Sequence, residues 1–194
     1  MISEPGFNPG LNFLKIMSVS NFFYIMRHGQ SADNAAGMIS GAGSNPHLTL
    51  KGYKQAEIAS LVFSRLDPKP TLIISSGLVR AHVTAHVVTG NIEIMQDPDL
   101  NERHLGELDG KITEHRQKEI KTLPGEETPA QHSARVLTAI TRHRKPGQIP
   151  LFVCHGGTIR RVMDALQPQD IPEIENARIY KFSWHDTMWQ VTPY

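Results

Sequence analysis

Phe22-Phe23-Tyr24-Ile25-Met26-Arg27-His28-Gly29-Gln30-Ser31 passes from five apolar residues straight into an arginine and a histidine. An uninterrupted apolar run of this length reads as a strand from Phe22 to Met26 buried on both faces, the pattern of a parallel sheet. Two polar side chains of this kind are expensive inside a core and serve no purpose on a plain surface. Their place at the strand's end therefore decides which fold can use them.

Leu72 to Ile74 and Leu151 to Cys154 repeat the short apolar pattern, and helical segments lie between these runs. Lys51 to Leu66 carries Tyr53, Ala56, Ala59, Val62, Phe63 and Leu66 on one stripe and stops before Asp67-Pro68. Leu78 to Thr89 reads as a second helix, ended by Gly90. Pro129 to Arg144 reads as a third, with Thr128 as N-cap, proline at the first helical position and Lys145-Pro146-Gly147 as the stop. A fourth runs from about Gly157 to Leu166, and Ile179 to Trp184 with Met188 to Thr192 form a closing hairpin around His185-Asp186. Strands alternating with helices predict an α/β sandwich, and in such sheets ligands gather outside the carboxyl ends of the strands. Arg27-His28, Ser75-Ser76 with Arg80 one turn into a helix, and His155-Gly156-Gly157 all stand at such ends.

The totals narrow the classes of function. The 194 residues suit one domain, assigned to 21–194, preceded by an extension over 1–20 in which Pro5, Gly6, Pro9 and Gly10 come before the short apolar patch Leu11 to Met17. Twenty basic residues against nineteen acidic ones leave a net charge of +1, so no global field points to nucleic acid or an anionic membrane, and an anion must be held by a local cluster. No apolar run approaches the roughly 20 residues of a membrane helix, and the first twenty lack the basic head and apolar stretch of a signal peptide. The single cysteine, Cys154, has no internal partner for a disulfide, which fits a cytoplasmic setting.

Two arginines, two histidines and backbone amides at loop-to-helix turns suit a phosphoryl group, since guanidinium forks match phosphate oxygens and helix N-termini add N–H donors. A neutral imidazole is a competent nucleophile near pH 7, and Arg27 and Arg80 favour the uncharged form of His28. A general acid is also needed, because the leaving oxygen of a phosphomonoester departs poorly as an alkoxide. Glu102, Glu107 and Asp109 are the candidates in the segment from Asp99 to Gly110.

Arg27-His28-Gly29-Gln30-Ser31 with Asn34, Leu48-Thr49-Leu50-Lys51-Gly52, Ser75-Ser76-Gly77-Leu78-Val79-Arg80-Ala81, Leu100-Asn101-Glu102-Arg103 with Gly106, and His155-Gly156-Gly157-Thr158-Ile159-Arg160 follow in that order. Together they resemble the histidine phosphatase superfamily, the phosphoglycerate mutase-like proteins. The resemblance implies a three-layer α/β/α sandwich with a mostly parallel central sheet and a short lid over the strand ends, here about 105–128. It implies that His28 becomes phosphorylated, that Arg27, Arg80 and His155 hold the phosphoryl oxygens with Gly156 beside them, and that Ser31 and Asn34 add phosphate or substrate contacts. By motif position it selects Glu102 as the acid that protonates the leaving group and then activates water. No metal or other cofactor is implied, because the arginines do what magnesium does elsewhere. Gly77 stands where the family commonly has proline, and Asn45-Pro46-His47 replaces a more typical acidic residue.

Competing readings are weaker. Cys154-His155-Gly156-Gly157-Thr158-Ile159-Arg160 has the Cys-x5-Arg spacing of cysteine-dependent phosphatases, but Val153 stands where their histidine precedes the cysteine, and the scheme leaves Arg27, His28 and Glu102 unexplained. His82 and His86, four apart on a helix, lack a third ligand and an HExxH pattern. His115, His132 and His143 read as solvated. The interval from Glu102 to His155 must hold both lid and helix, which leaves little for the lid, whereas the resemblance implies a longer basic insertion in cofactor-dependent mutases; Arg116, Lys118 and Lys121 read as a solvated helical face. The expectation is a phosphatase for small phosphorylated metabolites, with a cofactor-dependent mutase second and a non-catalytic phosphate-binding protein third. Oligomeric state is not legible.

Overall fold

Alternation along the first strand builds two cores at once. Phe23 and Ile25 join a cluster with Val136, Ala139, Ile140, Ile159, Val162 and Met163, while Tyr24 and Met26 join Ala56, Ala59, Phe63, Ala81, Ala85 and Val88. Successive side chains of a strand point to opposite faces, so these clusters are the two sides of one sheet. The computed structural model describes residues 21–90, 92–111 and 125–194. The expected extension over 1–20, and His115, Arg116, Lys118 and Lys121 of the expected lid, lie outside the described residues.

The strands are β1 (Phe22–Arg27), β2 (Leu72–Ser75), β3 (Ile94–Gln96), β4 (Pro150–Cys154), β5 (Ile179–His185) and β6 (Met188–Pro193). The helices are α1 (Ala32–Ala35), α2 (Leu50–Ser64), α3 (Val79–Thr89), α4 (Pro129–His143) and α5 (Gly156–Leu166), with 3₁₀ turns at Pro98–Leu100 and Gly106–Leu108. The sheet order is β3-β2-β4-β1-β5-β6. β3, β2, β4 and β1 are parallel, β5 runs antiparallel to β1, and β6 antiparallel to β5. With α2 and α3 covering one face and α4 and α5 the other, the α/β sandwich and mostly parallel sheet are as expected. Among the described residues no helix is long and apolar enough to cross a membrane.

Local signals explain the helix starts. Thr49 Oγ1 accepts the Gly52 N–H at 3.0 Å and opens α2, one residue earlier than expected. Thr128 and Gln131 form a capping box with Pro129 in the first turn of α4. Strand β3 was not anticipated. It spans three residues at the sheet edge with Met95 48% exposed, too short and too wet to give a periodic signal. Tyr53 falls outside the buried stripe of α2 and is exposed.

Register is what matters for function. Arg27 lies beside Cys154, and Ser75 beside Val153. The next residues of three strands, His28, Ser76 and His155, therefore leave the sheet at one edge.

Candidate active site

His28 is fixed at both ends. Its N–H donates to the Cys154 carbonyl at 2.9 Å, closing the β1–β4 ladder, and its Nδ1 lies 2.6 Å from the Gly29 carbonyl. A carbonyl only accepts, so Nδ1 carries the proton and Nε2 keeps the lone pair. Burial and Arg80 depress the His28 pKa, Gly29's hydrogen bond opposes them and Arg27 adds to them, bringing it down to about 3. The imidazole is neutral at any physiological pH. Gly29 approaches Gly52 so closely that a Cβ on either would strike backbone, and its N–H donates to Thr84 Oγ1 at 3.0 Å.

The arginines are anchored by part of their donor sets. Arg27 Nη1 donates to the Ile174 carbonyl at 2.9 Å, and its guanidinium lies against Gly156. Arg80, fully buried, donates from Nη1 to Ser44 O at 2.9 Å and from Nη2 to Gly41 O at 3.0 Å. Burial lowers the pKa of both, with Arg160 adding to the effect at Arg27 and Glu102 opposing it at both. The Nε atoms of Arg27 and Arg80, like Nδ1 of His155, are buried and have no hydrogen-bond partner among the described residues. The Ser40–Asn45 loop held by Arg80 is also tied to Asp109, which accepts the N–H groups of Gly41 and Gly43. Asn45 Oδ1 accepts the Val79 N–H at 2.8 Å, giving α3 a cap from a distant loop. That is what Asn45 supplies where an acidic residue was more typical.

His155 has a tautomer that can be worked out from its partners. Asn101 Oδ1 accepts the Gly77 N–H at 2.9 Å and the Ser76 hydroxyl at 2.8 Å. With its proton so committed, Ser76 Oγ accepts from the Leu78 N–H at 3.1 Å and from His155 Nε2 at 2.7 Å. The His155 proton is thus on Nε2, leaving Nδ1 bare. A proline at position 77 would have no N–H for Asn101, so the departure at Gly77 contributes a hydrogen bond. The His28 and His155 rings meet edge to face at 5.1 Å, and burial, Arg80 and His28 hold the His155 pKa well below the usual histidine range.

Glu102 is presented by two backbone donors. Oε1 accepts the Arg103 N–H at 2.9 Å and Oε2 the Gly157 N–H at 2.8 Å. A Cβ at position 157 would run into this carboxylate, which is why the first turn of α5 has glycine there. Glu102 opens on a cleft of about 110 Å³ lined also by Ser40, Arg103, His132, Arg160 and Arg161. Of its rivals, Glu107 is exposed and Asp109 is occupied by Gly41 and Gly43.

Several expectations change. His132 is 1% exposed rather than solvated, with Nε2 3.3 Å from Thr158 Oγ1 and 4.0 Å from Glu102 Oε1. Burial, against the pull of Glu102, lowers its pKa to about 4. His143 is also mostly buried and lies 2.8 Å from Asp97. The spacing of His132, Val136, Ala139 and His143 puts all four on one face of α4, a signal the sequence did contain. Ser31 and Asn34, expected as phosphate contacts, form a capping box with each other: Ser31 Oγ accepts the Asn34 N–H and Asn34 Oδ1 the Ser31 N–H, each at 3.3 Å. Cys154 is fully buried, and burial pushes its thiol pKa up, away from the thiolate the rival mechanism needs. His82 and His86 bond to each other through Nε2 atoms 3.1 Å apart. Arg160 and Asn101 had no role assigned from sequence, although both lie in quoted motifs.

Residues 23–194 match the family profile described as the histidine phosphatase superfamily (branch 1). The chain is 27% identical over 187 residues to phosphoglycerate mutase-like protein 4 of Arabidopsis thaliana, covering 84% of this chain and 79% of that protein. It is 26% identical over 196 residues to a metal-independent phosphoserine phosphatase of the same plant, covering 91% and 82%. A mycobacterial glucosyl-3-phosphoglycerate phosphatase, solved in complex with VO3, shares the fold with a TM-score of 0.74 at 24% identity over 89% of this chain and 98% of that one.

Proposed function

The chain belongs to the histidine phosphatase superfamily, and from that premise we propose that it is a metal-independent phosphatase hydrolysing small phosphomonoesters through a phosphohistidine at His28. The observation that carries the reading is a neutral imidazole with its Nε2 lone pair free, set among buried arginine and histidine nitrogens that lack partners. The Nε–H donors of Arg27 and Arg80, buried without acceptors, cost about 1–3 kcal/mol each, and a phosphoryl oxygen is the acceptor that two guanidinium groups match.

Nε2 of His28 attacks phosphorus as the ester P–O bond breaks, and Glu102 gives its proton to the departing oxygen. Glu102 then takes a proton from water, the hydroxide oxygen attacks phosphorus, the N–P bond breaks, and inorganic phosphate leaves. Arg27, Arg80 and the N-terminus of α5 at Gly156 offset the charge on the equatorial oxygens. Arg103, Arg160 and Arg161 around the cleft support a small anionic metabolite as substrate. Residues 105–128 are the proposed lid, and the lone buried thiol supports a cytoplasmic setting.

Release of inorganic phosphate from p-nitrophenyl phosphate in excess EDTA, with ³²P on His28 recovered after rapid quenching into alkali, is the expected result. Phosphoglycerate interconversion dependent on bisphosphoglycerate, without net phosphate release, would instead establish a mutase. Phosphate binding with no turnover over a metabolite panel would leave only a binding protein.

A further inference from the structure

The outer face of α2 has no partner among the described residues, although it carries large apolar side chains beside its charges. Leu50 is 84% exposed, Ile58 65% and Leu61 61%, and the buried residues Gly52, Ala56, Ala59 and Phe63 occupy the opposite side of the same helix. Single exposed leucines are ordinary, but a row of them directly opposite the core marks a contact surface.

The row has a symmetry that identifies its occupant. Leu50, Lys54, Glu57 and Leu61 are spaced by four, three and four residues, so all four lie on one face and the spacing reads the same in both directions. The outer positions are both leucine and the inner ones carry opposite charges. When two such helices meet antiparallel about a two-fold axis midway between Lys54 and Glu57, each Leu50 stands level with the other copy's Leu61, and each Lys54 with the other copy's Glu57. The symmetry makes two of every contact. Neither inner side chain has an ion-pair partner among the described residues. Ile58, to one side of the row, lines the cleft with Val62, Ala177 and Tyr194 and in this register stands level with the other copy's position 53 rather than with its own counterpart.

We infer that this face of α2 is an isologous docking surface for a second copy of the same chain, held by the two Leu50–Leu61 contacts and oriented by the two Lys54–Glu57 pairs. An unrelated apolar partner would have no reason to match a palindrome of charge. The geometry fixes the register: Leu50 of one copy is near Leu61 of the other, whereas the two Leu50 residues are separated by eleven helical rises, about 16 Å.

Sedimentation velocity across a range of concentrations tests this on the full chain, and a reversible dimer is expected. Lys54→Glu and Glu57→Lys each place like charges opposite each other twice and should weaken dimerisation about tenfold. The double variant Lys54→Glu/Glu57→Lys recreates both pairs with reversed sign and should restore it to within about threefold. Leu50→Cys/Leu61→Cys should form a disulfide-linked dimer on mild oxidation, while either single variant should not. A monomer at every concentration overturns the inference. So does a double charge variant no better than the singles, or a single-cysteine variant that cross-links as readily as the pair.

Discussion

After β3, the Asp97 carboxylate receives Arg142 Nη1 at 2.7 Å, His143 Nε2 at 2.8 Å and, on its other oxygen, the Asp99 N–H at 3.0 Å, while Arg142 also reaches Asp99 at 2.9 Å. After β1, His28 faces Arg27 and Arg80, and polar atoms of both arginines and of His155 are left without partners. In the Asp97 cluster burial raises the carboxyl pKa, but hydrogen bonds from His143, the Asp99 backbone and Arg142 outweigh it and hold Asp97 below the usual carboxylate range. In the His28 cluster like charges gather and the imidazole stays neutral. A cluster satisfied from within contributes stability; one left cationic and incomplete is completed by a ligand.

The sharpest break of that comparison is a histidine in each cluster. His28→Gln should lower kcat for p-nitrophenyl phosphate on the order of 10³-fold or more, whereas His143→Gln should leave kcat within about twofold and cost about 1–2 kcal/mol in urea denaturation. Equal losses of activity would merge the two clusters.

Glu102→Gln should reduce kcat about 10²–10³-fold for an alkyl phosphate and far less for p-nitrophenyl phosphate, whose leaving group needs little protonation. A uniform loss would remove Glu102 from proton transfer. Gly157→Ala pushes a methyl group into the Glu102 carboxylate and should lower kcat roughly 10²-fold, with no additional loss in the Glu102→Gln background.

The smallest effect is on acid stability. His28 and His132 have folded pKa values of about 3 and about 4, below the unfolded value of 6.5, so the unfolded chain binds the extra protons. Stability should therefore fall as pH drops below 6.5, by about 1 kcal/mol per buried histidine between pH 6.5 and 5.5. His132→Gln should flatten the slope of denaturation free energy against pH over that range.

Much of this was legible because burial on both faces leaves unbroken apolar runs, and because the residues after three such runs were all polar. Five of the six strands, four long helices and the places of Arg27, His28, Arg80 and His155 near strand ends followed, whereas Glu102 was selected among neighbouring carboxylates by its motif position in the family resemblance. β3 was too short to have a period, and Ser31 and Asn34 bear the same residue types as a helix cap and as an anion contact, so composition could not separate the two uses. His132 and His143 were missed because histidine reads as polar, although their spacing from Val136 and Ala139 placed them on the buried face. Asn101 carries no charge to draw notice, and its work is done through Ser76.

For the proposed phosphatase, the Ser76–His155 hydrogen bond governs how an ester could be captured. An imidazole whose only proton already points at Ser76 has a bare Nδ1, and it can meet a phosphoryl oxygen only across a shared hydrogen. Either the phosphate arrives as its monoanion and brings that hydrogen, or the dianion draws one from solvent as it settles between the arginines. In the proposed mechanism, binding of the ester is in both cases a proton-coupled event, in which mild acid should tighten the contact with His155 while His28, with its pKa held down to about 3, stays neutral.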